Sequence, residues 1–323
     1  MGGMTHRRST PEPTTIGEIG EFGLIDAVVR QLGTGPLVLI GPGDDAAHVA
    51  TGPEGTLIST DLLIEGRHFR RDWSSAHDIG IKAAACNLSD INAMGGTATA
   101  LTIGFGAPAD LPIEWAMDMA RGFEEEAARV GAHVVGGDVT SSETIVIAVT
   151  AIGEAARVVR RDGAQPGDLV AVVGRTGLAG AGFAALSRGF RSPKAAVAAH
   201  RVPEPPYEAG PEAAAAGATS MTDISDGLLA DLGHVAEASG VAIDIDPTAF
   251  TPPEAVLTVA EALQIDPLTF VLTGGDDYGL VATFPQSALV PTGWTVVGSV
   301  GEGSGVTVAG SAFDGDTGHQ HWR

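Results

Sequence analysis

Aspartates recur at the ends of apolar runs, in GPGDDAA (41 to 47), LISTD (57 to 61), NLSD (87 to 90), VVGGD (134 to 138) and MTDISDG (221 to 227). A carboxylate fixed at a strand end or tight turn projects from rigid backbone into a shared cleft, where several together hold a hard divalent cation through oxygen. Hydroxyls at Ser59, Thr60 and Ser225 supply further oxygens. No G-x-x-x-x-G-K-[ST] stretch is present, so any ATP is not held by a P-loop and phosphate charge must be met by other means. Magnesium suits that task, because it offsets the repulsion between two phosphorylated substrates and aligns the attacking and leaving oxygens. Zinc is a poorer fit. The nine histidines contain no H-x-x-x-H pair, and Cys86 is the only cysteine.

Runs rich in β-branched residues alternate with Ala-rich stretches, which predicts a mixed α/β chain. Strands are expected at 37 to 41, 56 to 60, 99 to 106, 132 to 137 and 144 to 153, most of them ending at Gly or Asp. Residues 115 to 130 carry Ala116, Met119, Ala120, Phe123, Ala127 and Val130 at helical spacing, the stripe of a helix that covers one sheet face. A second helix is read over 77 to 96, ended by Gly95 and Gly96, with Asp90 on the face turned away from the core. The Gly, Pro and charge content of RRDGAQPGD (160 to 168) marks a connector. It predicts a tail over 1–15, an N-terminal domain over 16–153 and a C-terminal α/β domain over 154–323. In the second half a strand is expected at 168 to 174, helices at 183 to 189 and 227 to 240, an extended segment at 241 to 246, and two strands around the GGDD turn of 270 to 284.

The 323 residues carry 18 Lys plus Arg against 40 Asp plus Glu, a formal net charge of -22, which argues against nucleic acid or an anionic membrane as partner. No uninterrupted apolar run approaches the ~20 residues needed to span a bilayer. The opening MGGMTHRRSTPEPTT does not read as a signal peptide, and a single cysteine fits a cytoplasmic location. A glycine-rich turn at 174 to 182 follows a strand and invites a dinucleotide reading. Its Gly177, Gly180 and Gly182 miss the G-x-G-x-x-G spacing, and the next acid is Glu204, so a tight turn with close helix packing is the better account.

GPGDDAA, STDLLIEGRHF (59 to 69), GIKAAACNLSDINAMGG (80 to 96), GGDVTSS (136 to 142), RDGAQPGD (161 to 168), TDISDGLLADLGH (222 to 234) and GGDDYGL (274 to 280) together resemble the thiamine-monophosphate kinase family, in that family's order from about residue 16 onward. The resemblance implies a fold shared with aminoimidazole ribonucleotide synthetase and selenophosphate synthetase, with the N-terminal sheets of a homodimer pairing into a barrel. It implies direct, in-line transfer of the γ-phosphoryl group of ATP to thiamine monophosphate, using several magnesium ions and no covalent catalytic residue. Carried onto this sequence, the metal ligands are Asp45, Ser59, Thr60, Asp61, Asp90, Asp138, Asp223 and Asp226. ATP is met by Gly137, Asp138, Arg161 and Ser225, and thiamine monophosphate by His68, Asp276 and His319. Asp44 and Asp231 are expected to cap a turn and a helix. Asp276 departs from the family's usual glutamate, Gly279 replaces a second one, and Trp322 is an alternative to His319. The rival readings are the two related synthetases and a non-catalytic cation-binding module. The first lacks the STDLL-EG-HF combination, the second has a reactive cysteine near its start, and no D-x-[DN]-x-[DN]-G loop supports the third.

Overall fold

A computed structural model describes residues 15–33, 35–36, 38–40, 48–50 and 55–319. Asp44, Asp45, Trp322 and nearly all of the 1–15 tail lie outside the described residues. In chain order the first half comprises α1 (Ile16–Val29), β1 (Val38–Ile40), β2 (His48–Val49), β3 (Leu57–Ile64), α2 (Ala76–Ala93), β4 (Thr97–Ala107), α3 (Ile113–Ala128), β5 (His133–Ser141) and β6 (Val146–Glu154). Four of these strands form a sheet ordered β3-β6-β4-β5, with β4 and β5 parallel and the other pairs antiparallel.

Strict alternation of buried and half-buried residues along β6 gives this sheet two unlike faces. Ile147, Val149 and Ala151 are fully buried on the face that α2 and α3 cover. Side chains such as Ile147 and Val149 each stabilise the fold by about 1.5–3 kcal/mol through burial. The opposite face of β3 carries Ile58 and Leu62, which are 69% and 54% exposed.

Helix α2 begins in a capping box, Ser75 with Asp78, and its first turn thereby gains partners for two backbone amides. Its polar side is turned away from the N-terminal core, and the second half of the chain packs over it. Asn87, Ser89 and Asn92 are all buried. Each finds a partner: Asn87 Oδ1 accepts from Asp61 N at 3.0 Å, Ser89 Oγ donates to Asp223 Oδ2 at 3.1 Å, and Asn92 Oδ1 accepts from Gly210 N at 3.0 Å.

The second domain continues through a short 3-10 turn, Arg161–Gly163, to β7 (Leu169–Val173), α4 (Leu178–Ser187), α5 (Lys194–Arg201), α6 (Ala209–Ala215), β8 (Ser220–Asp223), α7 (Leu228–Ser239) and β9 (Ala242–Ile245). It ends with α8 (Glu254–Leu263), α9 (Pro267–Thr273), β10 (Leu280–Phe284), β11 (Thr295–Gly301) and β12 (Gly305–Val308). Its six-stranded sheet is ordered β12-β9-β11-β7-β10-β8.

The expected strand before GGDD is helix α9. Asp266 caps it by accepting from Leu268 N at 2.9 Å, and Pro267 occupies its first turn, so a helix start overrides the β-rich composition of FVLT. No single described helix is long and apolar enough to cross a membrane; α8 and α9 pass that test only as a bent pair.

Candidate active site

Where the two domains meet, a cavity of about 600 Å³ is lined by Asp61, Asp90, Asp223, Asp226, Arg161 and Ser225 at one part and by His68, Asp276 and His319 at another. Strand β3 delivers Asp61. Its register partner is the buried Val149, so Asp61 lies on the helix-covered face of the sheet. Ser59, two residues earlier, shares that face and donates from Oγ to Asp90 Oδ2 at 2.5 Å. Asp90 comes from the last turns of α2, and Asp223 ends the fully buried β8.

Three carboxylates thus converge from β3, α2 and β8. Burial, then the charges of Asp223 and Asp61, push Asp90 up to about 7. Burial, then Asp231, likewise raises Asp223 to about 7. Carboxylates that resist ionisation because they are desolvated and crowd one another are deficient in positive charge. Arg161, whose Nε donates to Thr222 Oγ1 at 3.2 Å, offsets only part of it. Oxygen donors of this kind at this density suit a hard divalent cation.

Asp226, Asp231 and His234 also bring ligand atoms within 4.8 Å of one another. Here Asp231 is occupied as a cap: its Oδ2 accepts from Asp226 N and Gly227 N at 3.1 Å each, satisfying the start of α7.

Several expected residues stand elsewhere. The Thr60 hydroxyl, counted among the metal ligands, turns to the opposite face of β3 and pairs with Thr150 Oγ1 at 2.9 Å. Alternation along a strand dictates this once Ser59 and Asp61 face the helices. Asp138 is exposed on the sheet-edge strand β5, in register with Gly104, and Gly137 pairs with Ile103. Neither lines the cavity. Asp45 lies outside the described residues.

At the other part of the cavity, His68 Nδ1 accepts from Ile64 N at 3.0 Å, which fixes the turn after β3. His319 is exposed and is tied through its backbone N to Asp226 O at 2.9 Å. Asp276 occupies the left-handed region, with φ 66. Its Oδ2 receives the Lys82 ammonium at 2.8 Å, and its Oδ1 accepts from Tyr278 OH at 3.3 Å. Burial would raise this carboxyl, but the Lys82 ammonium holds it below its ordinary value.

Lys82, Tyr278, His200 and Trp73 were not singled out from the sequence. Lys82 is the residue a pattern could have flagged, as a charge inside the otherwise apolar IKAAAC run of α2. Cys86 is buried and donates to Tyr278 OH at 2.9 Å, and burial pushes its thiol up. It is an inert core residue. Gly279 fills the position where the family has a second glutamate. A Cβ there would stand 2.7 Å from Val173 O, so a side chain requires β7 to give way.

The glycine-rich turn also has a clear assignment. Gly177, with φ 83, precedes α4, and the buried Asp277 accepts from Gly177 N at 2.5 Å and Ala179 N at 2.9 Å. A protein carboxylate already fills the place where this helix would hold a phosphate, which removes the dinucleotide reading.

Residues 43–155 match the family described as AIR synthase related protein, N-terminal domain, and residues 165–310 match AIR synthase related protein, C-terminal domain. Fold and site together therefore define a two-domain protein of the AIR-synthase-related class. Within that class the chain belongs to the thiamine-monophosphate kinase family. It is 46% identical, over 98% of its length and 95% of the relative's, to the thiamine-monophosphate kinase of Mycobacterium tuberculosis (strain CDC 1551 / Oshkosh). It is 36% identical, over 92% of each chain, to that of Corynebacterium glutamicum. Among solved structures, AaThiL complexed with AMPPCP and TMP superposes with a TM-score of 0.80 at 33% identity, covering 96% of this chain and 99% of that one.

Proposed function

We propose that this protein transfers the γ-phosphoryl group of ATP directly to thiamine monophosphate, giving thiamine diphosphate and ADP. The observation that carries the reading is the convergence of Asp61, Asp90 and Asp223 from three elements onto one cavity, with Asp90 and Asp223 pushed up to about 7 by burial and by the charges of neighbouring aspartates. Family membership supports it, as does the solved relative bound to an ATP analogue and TMP.

The residues that would hold magnesium are Asp45, Ser59, Thr60, Asp61, Asp90, Asp138, Asp223 and Asp226, with Thr60 contributing its main chain because its hydroxyl is engaged by Thr150. When bound, magnesium neutralises phosphate charge and aligns the reacting oxygens. The chain's own groups position the substrates. Arg161 and Ser225 would meet the part of ATP inside the cavity, while Gly137 and Asp138, on β5 outside it, would meet a part that extends beyond the cavity. His68, Asp276 and His319 meet the acceptor. The acceptor's phosphate oxygen is already anionic, so no residue is needed as a strong base, and none is assigned.

In this reading residues 16–153 bind metal and nucleotide and residues 154–323 complete the cavity. Two chains pair through the open face of the N-terminal sheet, where exposed Ile58 and Leu62 support such a contact. The enzyme works in the cytoplasm, and neither nucleic acid nor membrane takes part.

The test is incubation with ATP, magnesium and thiamine monophosphate, followed by mass analysis. Thiamine diphosphate should form in step with ADP. ADP with free phosphate and no thiamine diphosphate would overturn the kinase reading.

A further inference from the structure

One cluster in the cavity has no place in the phosphate chemistry. Trp73, Phe183 and His200 meet at ring-centroid distances of 5.6–6.0 Å, all three lining the cavity. Phe183 is 51% exposed although it sits in this cluster, and the Arg70 guanidinium stands over the Trp73 ring at 4.8 Å. An aromatic group left half open inside a cavity is a surface for another flat ring.

His200, on α5, is only 6% exposed. Its Nδ1 is buried without a hydrogen-bond partner and lies 3.5 Å from Asp276 Oδ2. That carboxylate already takes the Lys82 ammonium at 2.8 Å. Burial and the neighbouring Lys82 push the imidazole down to about 3, so the ring is neutral at physiological pH. A neutral imidazole has one donor and one acceptor nitrogen. Facing an ionised carboxylate, the proton belongs on Nδ1, which leaves the lone pair on Nε2.

We propose that His200 is a specificity-determining residue: its Nε2 accepts a hydrogen bond from the exocyclic amino group of the acceptor's aminopyrimidine, with Trp73 and Phe183 as the ring's walls. This rests on the assignment of thiamine monophosphate as acceptor. The amino group is the feature that such a site reads. An acceptor with an oxo group in its place sets lone pair against lone pair, and a buried polar group left unmatched is how binding sites reject close analogues.

The experiment compares wild type with H200F and H200Q, using thiamine monophosphate and its oxo analogue, oxythiamine monophosphate. KM is measured for each acceptor and for ATP, and acceptor binding is measured by calorimetry. Phenylalanine keeps the ring packing and removes the acceptor atom, whereas glutamine returns an acceptor near the Nε2 position. In H200F the KM for thiamine monophosphate should rise about tenfold and the preference for amino over oxo should largely vanish, with the KM for ATP unmoved. H200Q should restore part of the preference. Should H200F melt below the assay temperature, H200N carries the same expectation, because it keeps a donor near Nδ1 and lacks the Nε2 position.

An H200F enzyme with full amino preference and unchanged acceptor KM overturns the assignment while leaving the kinase reading intact. A wild type that binds thiamine monophosphate through His200 yet forms no thiamine diphosphate overturns the kinase reading and leaves this seat standing. Failure of wild type to bind the acceptor overturns both.

Discussion

Asp90→Asn separates what this carboxylate costs the fold from what it does for turnover. Burial and the charges of Asp223 and Asp61 raise Asp90 from 3.8 to about 7. The unfolded chain ionises Asp90 near pH 4, while the folded chain resists until about 7. Stability from this group is therefore lost as pH rises through that window, and the full penalty is present above it. A shift of about three units corresponds to about 4 kcal/mol as a ceiling. Burial is the larger cause and is softened by relaxation and water entry, so a neutral side chain should recover about half of that ceiling, roughly 2 kcal/mol.

Asparagine is close to the protonated acid in shape, and its Oδ1 can still accept from Ser59 Oγ. At about 1.5 °C per kcal/mol for a chain of this length, Asp90→Asn should raise Tm by about 3 °C at pH 8 in the presence of a chelator. At pH 5 the folded carboxyl is protonated but the unfolded one is already ionised, so roughly 40% of the difference should remain, and it should vanish only below about pH 4. The same variant should lose at least about a hundredfold in turnover, because a phosphate-handling charge is gone. Differential scanning fluorimetry at the two pH values, paired with a thiamine diphosphate assay, measures both effects. A lower Tm than wild type at pH 8, or near-normal turnover, refutes the reasoning.

Three further outcomes follow from the geometry. Lys82→Met leaves the Asp276 carboxylate beside His200 without its cation, and chemical denaturation should show a loss of about 2–3 kcal/mol; an unchanged midpoint would mean the pair contributes nothing. Leu62→Glu places a charge on the exposed apolar face of β3, and if the proposed dimer forms there, sedimentation should show it dissociating to monomers, whereas an unaltered dimer would locate the interface elsewhere. Titrating magnesium beyond the concentration that saturates ATP should continue to raise turnover, and a plateau at one magnesium per ATP would count against additional ions held by the aspartates.

Part of this site is legible in the sequence because Asp223 ends a strand and because alternation along β3 puts Ser59 and Asp61 on one face. Ser59, Asp61 and Asp223 are placed by local backbone, so spacing along the chain locates them. Asp90 is legible as a candidate but not in its setting. A helical wheel turns it away from the sheet, and only the packing of the second domain over α2 makes that side an interior. Asn87 shows only as Asp90's neighbour on that face and Ser89 not at all, since their partners lie 26 and 134 residues away. Strand alternation by itself excludes the Thr60 hydroxyl, because Ser59 and Asp61 already claim the other face. The helix over Pro267–Thr273 is lost to any reading that weighs β-propensity above the Asp-Pro start. His200, Trp73 and Phe183 carry no local signature. They are brought together from a loop and two helices, and nothing in their spacing predicts it.

The run Asp276-Asp277-Tyr278 commits three consecutive side chains to different tasks. Asp276 reaches Lys82 on α2, Asp277 holds the start of α4, and Tyr278 takes the hydrogen of Cys86. Both Asp276 and Tyr278 have positive φ, a geometry that β-branched residues avoid. Evolution of a new acceptor preference at position 276 is accordingly narrow: Val, Ile and Thr are closed by backbone strain, and longer acids must share space with Lys82. Adaptation to a different acceptor has an easier path through the side chains of Phe183, on the cavity side of α4, and Trp73, in its loop, because neither touches the Asp277 contacts that hold the start of α4.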